Sequence, residues 1–414
     1  MAYWFHRNPL KATGPVSFEI LRSGATSSAG PQLLGELKKC RAKLLEVIIE
    51  PSSEISTVET IFQEYLSLLH GLLYNIGGGT GSADSKLRKL VRFRWTSSIC
   101  GSIPMAQIDS NFELASVCVE FAMWCMKHAS YIADKSDITM EEAKEVHTCL
   151  KKAGGIFHYV KESIISSLEQ LPEAKTTDID VRVLDAYKLQ CIAEAQEVTV
   201  ARAVELKHKA SLISALAYET SELYSQAADS LKSMDVTRAG KWRKYLEIKH
   251  NFYLAYGYCY YGDVLLSEKE QCGASIKVLQ ESEKLYQAAR SMCQEYSALK
   301  APATTIARPA DHPVFKTLGS AIKTKLEKST RENSFIYFHK VPEEVPELEK
   351  KAAHGLANPQ EFSLPSPHAL WTKDLYDSID AEKVPKEKAP TNEPIKPIPE
   401  KNQGGSSFSS CVIS

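Results

Sequence analysis

A run of long amphipathic segments with short breaks between them is the feature that most constrains this fold. From residue 111 to residue 299, apolar side chains recur mostly at three-to-four spacing, as one face of an α-helix requires. Thr139, with Glu142 three residues later, has the pattern of a capping box at a helix start. The helices predicted here span residues 111–134, 139–170, 178–208, 211–234, 241–268 and 274–299.

The flanking regions predict further helices and two extended segments. Helical spacing also begins near Gln32 and stops at Pro51, and it recurs at 56–74 and 314–334. Residues 16–21 are predicted as a strand and residues 335–338 as an extended segment. The glycine-rich stretch 77–81 is predicted as a loop because glycine removes the steric limits on the backbone.

The segments from 241 to 299 suggest the repeat architecture. Small residues such as Gly257, Gly262 and Gly273 are placed much as in tetratricopeptide repeats, where they let paired helices approach closely. A generic antiparallel helical hairpin explains the same pattern equally well. Both interpretations predict a mainly α, elongated helical solenoid.

Composition excludes several classes of protein. The 414 residues carry a formal net charge of -1, whereas a nucleic-acid-binding protein normally shows a basic excess. The first residues do not resemble a signal peptide, and Ala2 stands where N-myristoylation needs glycine. Ten cysteines without paired spacing indicate a reducing, cytosolic compartment with mostly buried thiols.

The usual motifs of catalysis and cofactor binding are absent from the sequence. The glycines at 77–81 are not followed by the Gly-Lys-Ser/Thr of a phosphate-binding loop. Neither Cys-x-x-Cys, His-Glu-x-x-His nor Gly-x-Ser-x-Gly occurs, and His147 and Cys149 have no partners at metal-ligand spacing. We therefore expect a protein that is not an enzyme and that holds no cofactor or metal.

The C-terminal region predicts attachment to a membrane. Residues 411–414, Cys411-Val412-Ile413-Ser414, have the form of a prenylation signal, and the terminal serine favours a farnesyl group. We expect S-farnesylation of Cys411, removal of Val412, Ile413 and Ser414, and methylation of the new carboxyl end. Residues 376–410 are predicted to be disordered, first rich in Pro, Lys and Glu and then in Gly and Ser. Within them, Pro394-Ile395-Lys396-Pro397 matches a minimal proline-rich motif, which is common in such tails.

Several segments together resemble the Bro1 domain family. They are residues 6–13 (His-Arg-Asn-Pro-Leu-Lys-Ala-Thr), 193–198 through 217–220, and 333–337 followed by Val341-Pro342. The resemblance spans nearly the whole chain and implies a Bro1 domain at residues 1–375. It implies a banana-shaped, mainly helical fold with a tetratricopeptide-like core and a small N-terminal strand element.

The resemblance also implies a partner and a binding site. Bro1 domains bind the C-terminal amphipathic helix of charged multivesicular body proteins, the subunits of ESCRT-III filaments. The matching groove positions are Thr199, Leu212 and Leu216; the two leucines, one turn apart, share a helix face. Thr199 stands where a larger relative has an aromatic residue, and Tyr337 matches a phosphorylatable tyrosine of that relative, which makes it a weak phosphosite candidate.

The leading functional hypothesis is a monomeric, non-catalytic adaptor. It would grip an ESCRT-III helix while the lipid holds it on the cytosolic face of endosomes or the nuclear envelope during membrane remodelling or repair. The competing hypothesis is a generic tetratricopeptide-like scaffold for extended peptides. That scaffold would need convergent Lys and Asn side chains that capture a carboxylate, and no repeated pattern of this kind is seen.

Overall fold

The structure is a computed structural model that describes residues 4–25, 27–77, 84–135, 137–168, 177–300, 307, 309–348, 356–385 and 393–396. These residues contain ten α-helices and one antiparallel pair of strands. The elements are α1 (Gly30–Val47), α2 (Ile55–Leu73), β1 (Phe93–Ser97), β2 (Gly101–Gln107), α3 (Ser110–Ala133), α4 (Met140–Tyr159), α5 (Val181–Glu205), α6 (Ala210–Ser230), α7 (Val236–Ser267), α8 (Cys272–Ala298), α9 (Pro313–Glu332) and α10 (Lys373–Ser378).

The predicted mainly α, solenoid-like fold is confirmed. Helices α4 to α8 each pack chiefly on the helices next to them in sequence. At Gly262 a Cβ atom would lie 2.7 Å from Leu279 Cγ, and at Gly257 it would lie 3.3 Å from the Ser214 carbonyl oxygen. These small residues therefore let α7 approach α6 and α8 closely, as their spacing predicted.

The buried apolar residues form one large core and one small cluster, and helix α3 lies at the centre of the large core. Its apolar residues from Phe112 to Met126 are buried around the whole helix, so it packs against neighbours on every side. Glu113, which interrupts the apolar run, is itself buried, and it accepts hydrogen bonds from Arg41, Tyr65 and Trp95. No helix in the described ranges is both long enough and apolar enough to span a bilayer.

Two predictions of extended structure are wrong. Residues predicted as a strand at 16–21 lie partly in the 3₁₀-helix Phe18–Ser23, because Phe18 and Leu21 bury the same side of one turn. Residues predicted as extended at 335–338 lie mostly in a π-helical turn, Asn333–Tyr337, which continues α9. The turn closes when Phe338, at φ 56°, donates its backbone N–H to the Asn333 carbonyl oxygen at 2.8 Å.

The strand element is the hairpin of β1 and β2, and the N-terminal segment packs against it. Phe93 pairs with Gln107, and a single bridge joins Thr13 to Trp95. The Ala12 carbonyl oxygen accepts from the Thr96 backbone N–H at 2.8 Å. The N-terminal contribution to this small sheet is thus one bridging residue rather than a separate strand.

The folded region extends beyond the predicted boundary at residue 375. That boundary falls inside α10, and Tyr376, Ile379 and Val384 are buried in the larger core. Farther along, Ile395 donates its backbone N–H to the Ser102 carbonyl oxygen of β2 at 3.1 Å. The early part of the predicted tail therefore contacts the domain, through buried apolar side chains up to Val384 and through the backbone of Ile395.

Candidate functional site

A groove of about 570 Å³ lies between the first half of α4, the end of α5 and the start of α6. It brings together all three residues that the resemblance implied. Thr199 projects from α5, and Leu212 and Leu216 project from α6. The groove is lined by Ile138, Thr139, Met140, Ala143, Lys144, His147, Thr148, Val198, Thr199, Arg202, Ala203, Glu205, Leu206, His208, Leu212 and Leu216.

The turn between α5 and α6 sets the two helices side by side. Lys207 adopts a left-handed conformation with φ 54°, which lets the chain reverse after the last turn of α5. The His208 backbone N–H donates to the Ala203 carbonyl oxygen, and that of Lys207 donates to the Val204 carbonyl oxygen, both at 3.0 Å. These bonds satisfy helix-end carbonyls and place His208 at the edge of the groove.

The opposite wall begins at the predicted capping box. The Glu142 backbone N–H donates to Thr139 Oγ1 at 3.2 Å, and Glu142 Oε2 accepts from the Thr139 backbone N–H at 2.8 Å. The cap fixes where α4 begins. It thereby fixes the positions of Met140 and Ala143 in the groove wall.

The apolar lining residues differ sharply in exposure. Leu216 is 2% exposed and forms the floor, Leu212 is half-buried, and Leu206 is 53% exposed at the rim. A rim leucine as open as Leu206 can be covered by a partner without unfolding anything. Sequence reasoning missed Leu206 and the α4 wall. Leu206 lies at the end of the predicted helix 178–208, while α4 is remote in sequence and meets the groove only through packing.

The charged groups at the rim are paired with each other, and Lys144 Nζ lies 3.4 Å from Glu141 Oε1. Lys144 and Arg202 line the groove, and Glu205, held 2.9 Å from Arg202, is the acidic group among its lining residues. His147 also faces the groove, and burial together with the nearby Lys151 lowers its pKa below the ordinary value. His147 is therefore neutral at physiological pH and can accept or donate a hydrogen bond without adding charge.

The remaining predicted residues lie elsewhere. Tyr337 lies in the π-helical turn after α9, half-buried, with its ring 5.5 Å from that of His339. Cys411, with Val412, Ile413 and Ser414, lies outside the described residues, as does most of the glycine-rich loop. Among the described residues, no group of three or more His, Cys, Asp and Glu side chains could hold a metal ion. None of the nine described cysteines is in a disulfide, and all but Cys100 are buried.

Comparison with known proteins identifies the family. A model of the BRO1-like domain matches residues 15–387. BRO1 domain-containing protein BROX of Danio rerio is 45% identical over 416 residues and covers 100% of each chain. The human protein of the same name is 45% identical over 387 residues, covering 94% of this chain and 93% of its own.

Solved structures share the same architecture. The structure of the ALIX BRO1 CHMP4C complex matches with a TM-score of 0.66 at 19% identity, covering 89% of this chain and 98% of that one. At this identity the match establishes the fold. Together with the family match over most of the sequence, it shows that this chain belongs to the BRO1-like domain family.

Proposed function

We propose that this protein is a non-catalytic adaptor whose groove binds the C-terminal amphipathic helix of an ESCRT-III charged multivesicular body protein. The observation that carries the proposal is the groove itself, where exposed Leu206, half-buried Leu212 and buried Leu216 form a graded apolar surface. An amphipathic helix laid into such a groove would cover the two partly exposed leucines with its own apolar anchors. The ALIX BRO1 domain of similar fold is in complex with CHMP4C, which supports this class of partner.

The rim refines the expected partner. Lys144 and Arg202 lie on opposite walls, each in a solvent-exposed ion pair that acidic residues beside the apolar stripe of a bound helix would replace. Thr199, on the α5 wall of the groove, is smaller than the aromatic residue that a relative has at this position. The bound helix would therefore present a larger side chain opposite Thr199. The rim charges would chiefly set the rate of association and the choice among partners.

Attachment to the membrane is the second part of the proposal. A farnesyl group on Cys411 would hold the protein on the cytosolic face of endosomes or the nuclear envelope. One lipid chain gives marginal, reversible binding, so a second signal is needed. Lysines and glutamates alternate between residues 382 and 401, and their charges nearly cancel. An ESCRT-III polymer already on the membrane would supply the second signal through the groove.

The decisive experiment compares two peptides on the full chain. We expect a C-terminal ESCRT-III helix to bind, and a chaperone-tail peptide, as a generic tetratricopeptide-like scaffold would prefer, to bind far more weakly. Leu212→Asp should weaken helix binding tens-fold, because truncating a buried anchor at an interface costs about 2 kcal/mol or more. Val181→Asp, on an exposed apolar residue at the start of α5, is the matched control.

Localisation in cells tests the two signals separately. Cys411→Ser should remove most of the general membrane association, whereas Leu212→Asp should leave the protein on membranes but disperse it from ESCRT sites. Unaltered recruitment of the Leu212→Asp protein to those sites would refute the role of the groove.

Tyr337 remains a candidate phosphosite. Its half-buried ring lies in a turn between exposed neighbours, so a kinase could reach it after a local opening. Phosphopeptide mapping from cells with active tyrosine kinases is the test, and an unmodified Tyr337 in those cells would end this part of the proposal.

A further inference from the structure

A short hook of exposed apolar residues follows α9. Phe335, Ile336 and Phe338 are 78%, 65% and 74% exposed, and they lie within four consecutive positions. We name these three residues the apolar hook. Soluble proteins expose single apolar side chains freely, but a contiguous, strongly exposed cluster marks a surface that contacts something else.

Two hydrogen bonds made by the Asn333 side chain fix the turn that carries the hook. Asn333 Oδ1 accepts from the His339 backbone N–H at 2.9 Å, and Asn333 Nδ2 donates to the His339 carbonyl oxygen at 3.0 Å. Phe338 adopts a left-handed conformation, which is costly for a side chain of this size. This clamp keeps the apolar side chains in water, so a ligand that covers them pays little for ordering the turn.

A basic stripe leads to the hook. Lys316, Lys323 and Arg331 are exposed and recur at seven and eight residues, so they lie on one face of α9. Phe335 follows Arg331 by four residues and continues that stripe. The exposed Lys328 flanks it, and Glu327 is the acidic residue within it.

Acidic groups also occur after the hook. Glu343, Glu344 and Glu347 are exposed, while Lys340 lies between them and the turn. Along α9 itself, the exposed basic side chains outnumber the exposed acidic ones: Lys316, Lys323, Lys328 and Arg331 stand against Glu327. The α9 side of the hook therefore complements a negatively charged partner, whereas the segment after the hook does not.

We propose that the apolar hook and the basic stripe form a membrane-docking surface for anionic bilayers. The hook enters the boundary between headgroups and acyl chains, and the stripe contacts the negatively charged headgroups. A bilayer fits the chemistry because it offers apolar depth and negative charge together, without requiring a shaped pocket. This surface uses neither the groove nor Cys411, so it stands apart from the proposed function and would set the orientation of a lipid-anchored molecule.

Vesicle flotation of the full chain carrying Cys411→Ser tests the surface without any prenyl group. We expect binding to phosphatidylcholine vesicles that contain phosphatidylserine, weaker binding without phosphatidylserine, and loss of binding as salt rises. Replacing Phe335 and Ile336 with serine should lower binding at least about tenfold. Lys323→Glu with Arg331→Glu should lower it on the anionic vesicles. Val236→Ser, on a residue 66% exposed at the start of α7, is the matched control and should bind normally.

A tryptophan reporter separates insertion from protein contacts. All five native tryptophans are buried, so the indole introduced by Phe335→Trp has a distinct exposed signal. On anionic vesicles its emission should shift to the blue and be quenched by brominated acyl chains. Absence of quenching overturns the proposal, and so does a hook variant that floats like its parent.

Two further outcomes are informative. A concentration-dependent dimer that the serine variants abolish would assign the hook to a second copy of this chain and overturn the membrane role. Binding of the ESCRT-III helix peptide by the serine variants should remain normal. Failure of vesicle binding with intact peptide binding would reject the docking surface alone, and the reverse would reject the groove alone.

Discussion

Arg7 and Glu194 form a buried, bidentate ion pair that connects the N-terminal segment to α5. Arg7 Nη1 donates to Glu194 Oε1 at 2.9 Å, and Arg7 Nη2 donates to Glu194 Oε2 at 2.7 Å. Gln190 and Tyr245 donate to the same carboxylate at 2.8 and 3.0 Å. The pair therefore joins the first residues of the chain, α5 and α7 into one network.

Breaking this pair should be costly. We expect Arg7→Ala to lower the free energy of unfolding by about 3–5 kcal/mol, because it leaves a buried carboxylate without its cation. Urea unfolding measures the change. Lys39→Ala, which breaks an exposed pair with Glu36, is the control and should cost at most about 1 kcal/mol. Equal effects of the two substitutions would contradict the structural role of Arg7.

Leu216 and Leu212 should separate stability from binding. Leu216 is nearly inaccessible, so Leu216→Ala should cost about 2–5 kcal/mol of unfolding free energy through the cavity it leaves. Leu212→Ala should cost less, since this side chain is half-buried, while still weakening the helix peptide. Denaturant melts and peptide titrations on both variants check this. A Leu216→Ala protein as stable as the parent would show that Leu216 is not part of the core.

Glu120 should give stability a dependence on pH. Burial raises the pKa of Glu120 from 4.5 to about 8. The Lys11 backbone N–H, which donates to the carboxylate at 2.8 Å, acts in the opposite direction and lowers the pKa. Between these values the folded protein keeps a proton that the unfolded chain has released, so this group lowers stability as pH rises and its effect levels off above about pH 8. Urea midpoints of the parent and of Glu120→Gln across this range should converge at low pH and diverge at high pH. Parallel profiles would disprove it.

A glycine in place of Lys207 should make the protein more stable. Its left-handed conformation suits glycine better, so Lys207→Gly should raise the free energy of unfolding by about 0.5–1 kcal/mol without altering the groove. Thermal melts test this, with Lys209→Gly as the control at a position without positive φ. A lower melting temperature for Lys207→Gly would mean that its side chain contributes contacts worth more than the backbone strain.

The sequence predicted the helices well because each buries an apolar stripe whose spacing is visible locally. It predicted the capping box at Thr139 for the same reason: the two residues are three positions apart and act on each other. The family resemblance located Thr199, Leu212 and Leu216. Predictions failed where a few apolar residues stood alone, as at 16–21 and 335–338, since short apolar runs fit a turn as readily as a strand.

The sequence by itself determined that this is a mainly helical protein of the BRO1-like domain family. Tertiary structure decided which apolar residues are covered and which stay open to solvent. Leu216 and Leu206 are the same residue type, yet one is a floor and the other an exposed rim, because packing of α4 against α5 and α6 covers the first and leaves the second open. The exposure of the hook at Phe335 likewise depends on the conformation of the turn after α9. Burial is a property of distant segments meeting, and local spacing carries no record of it.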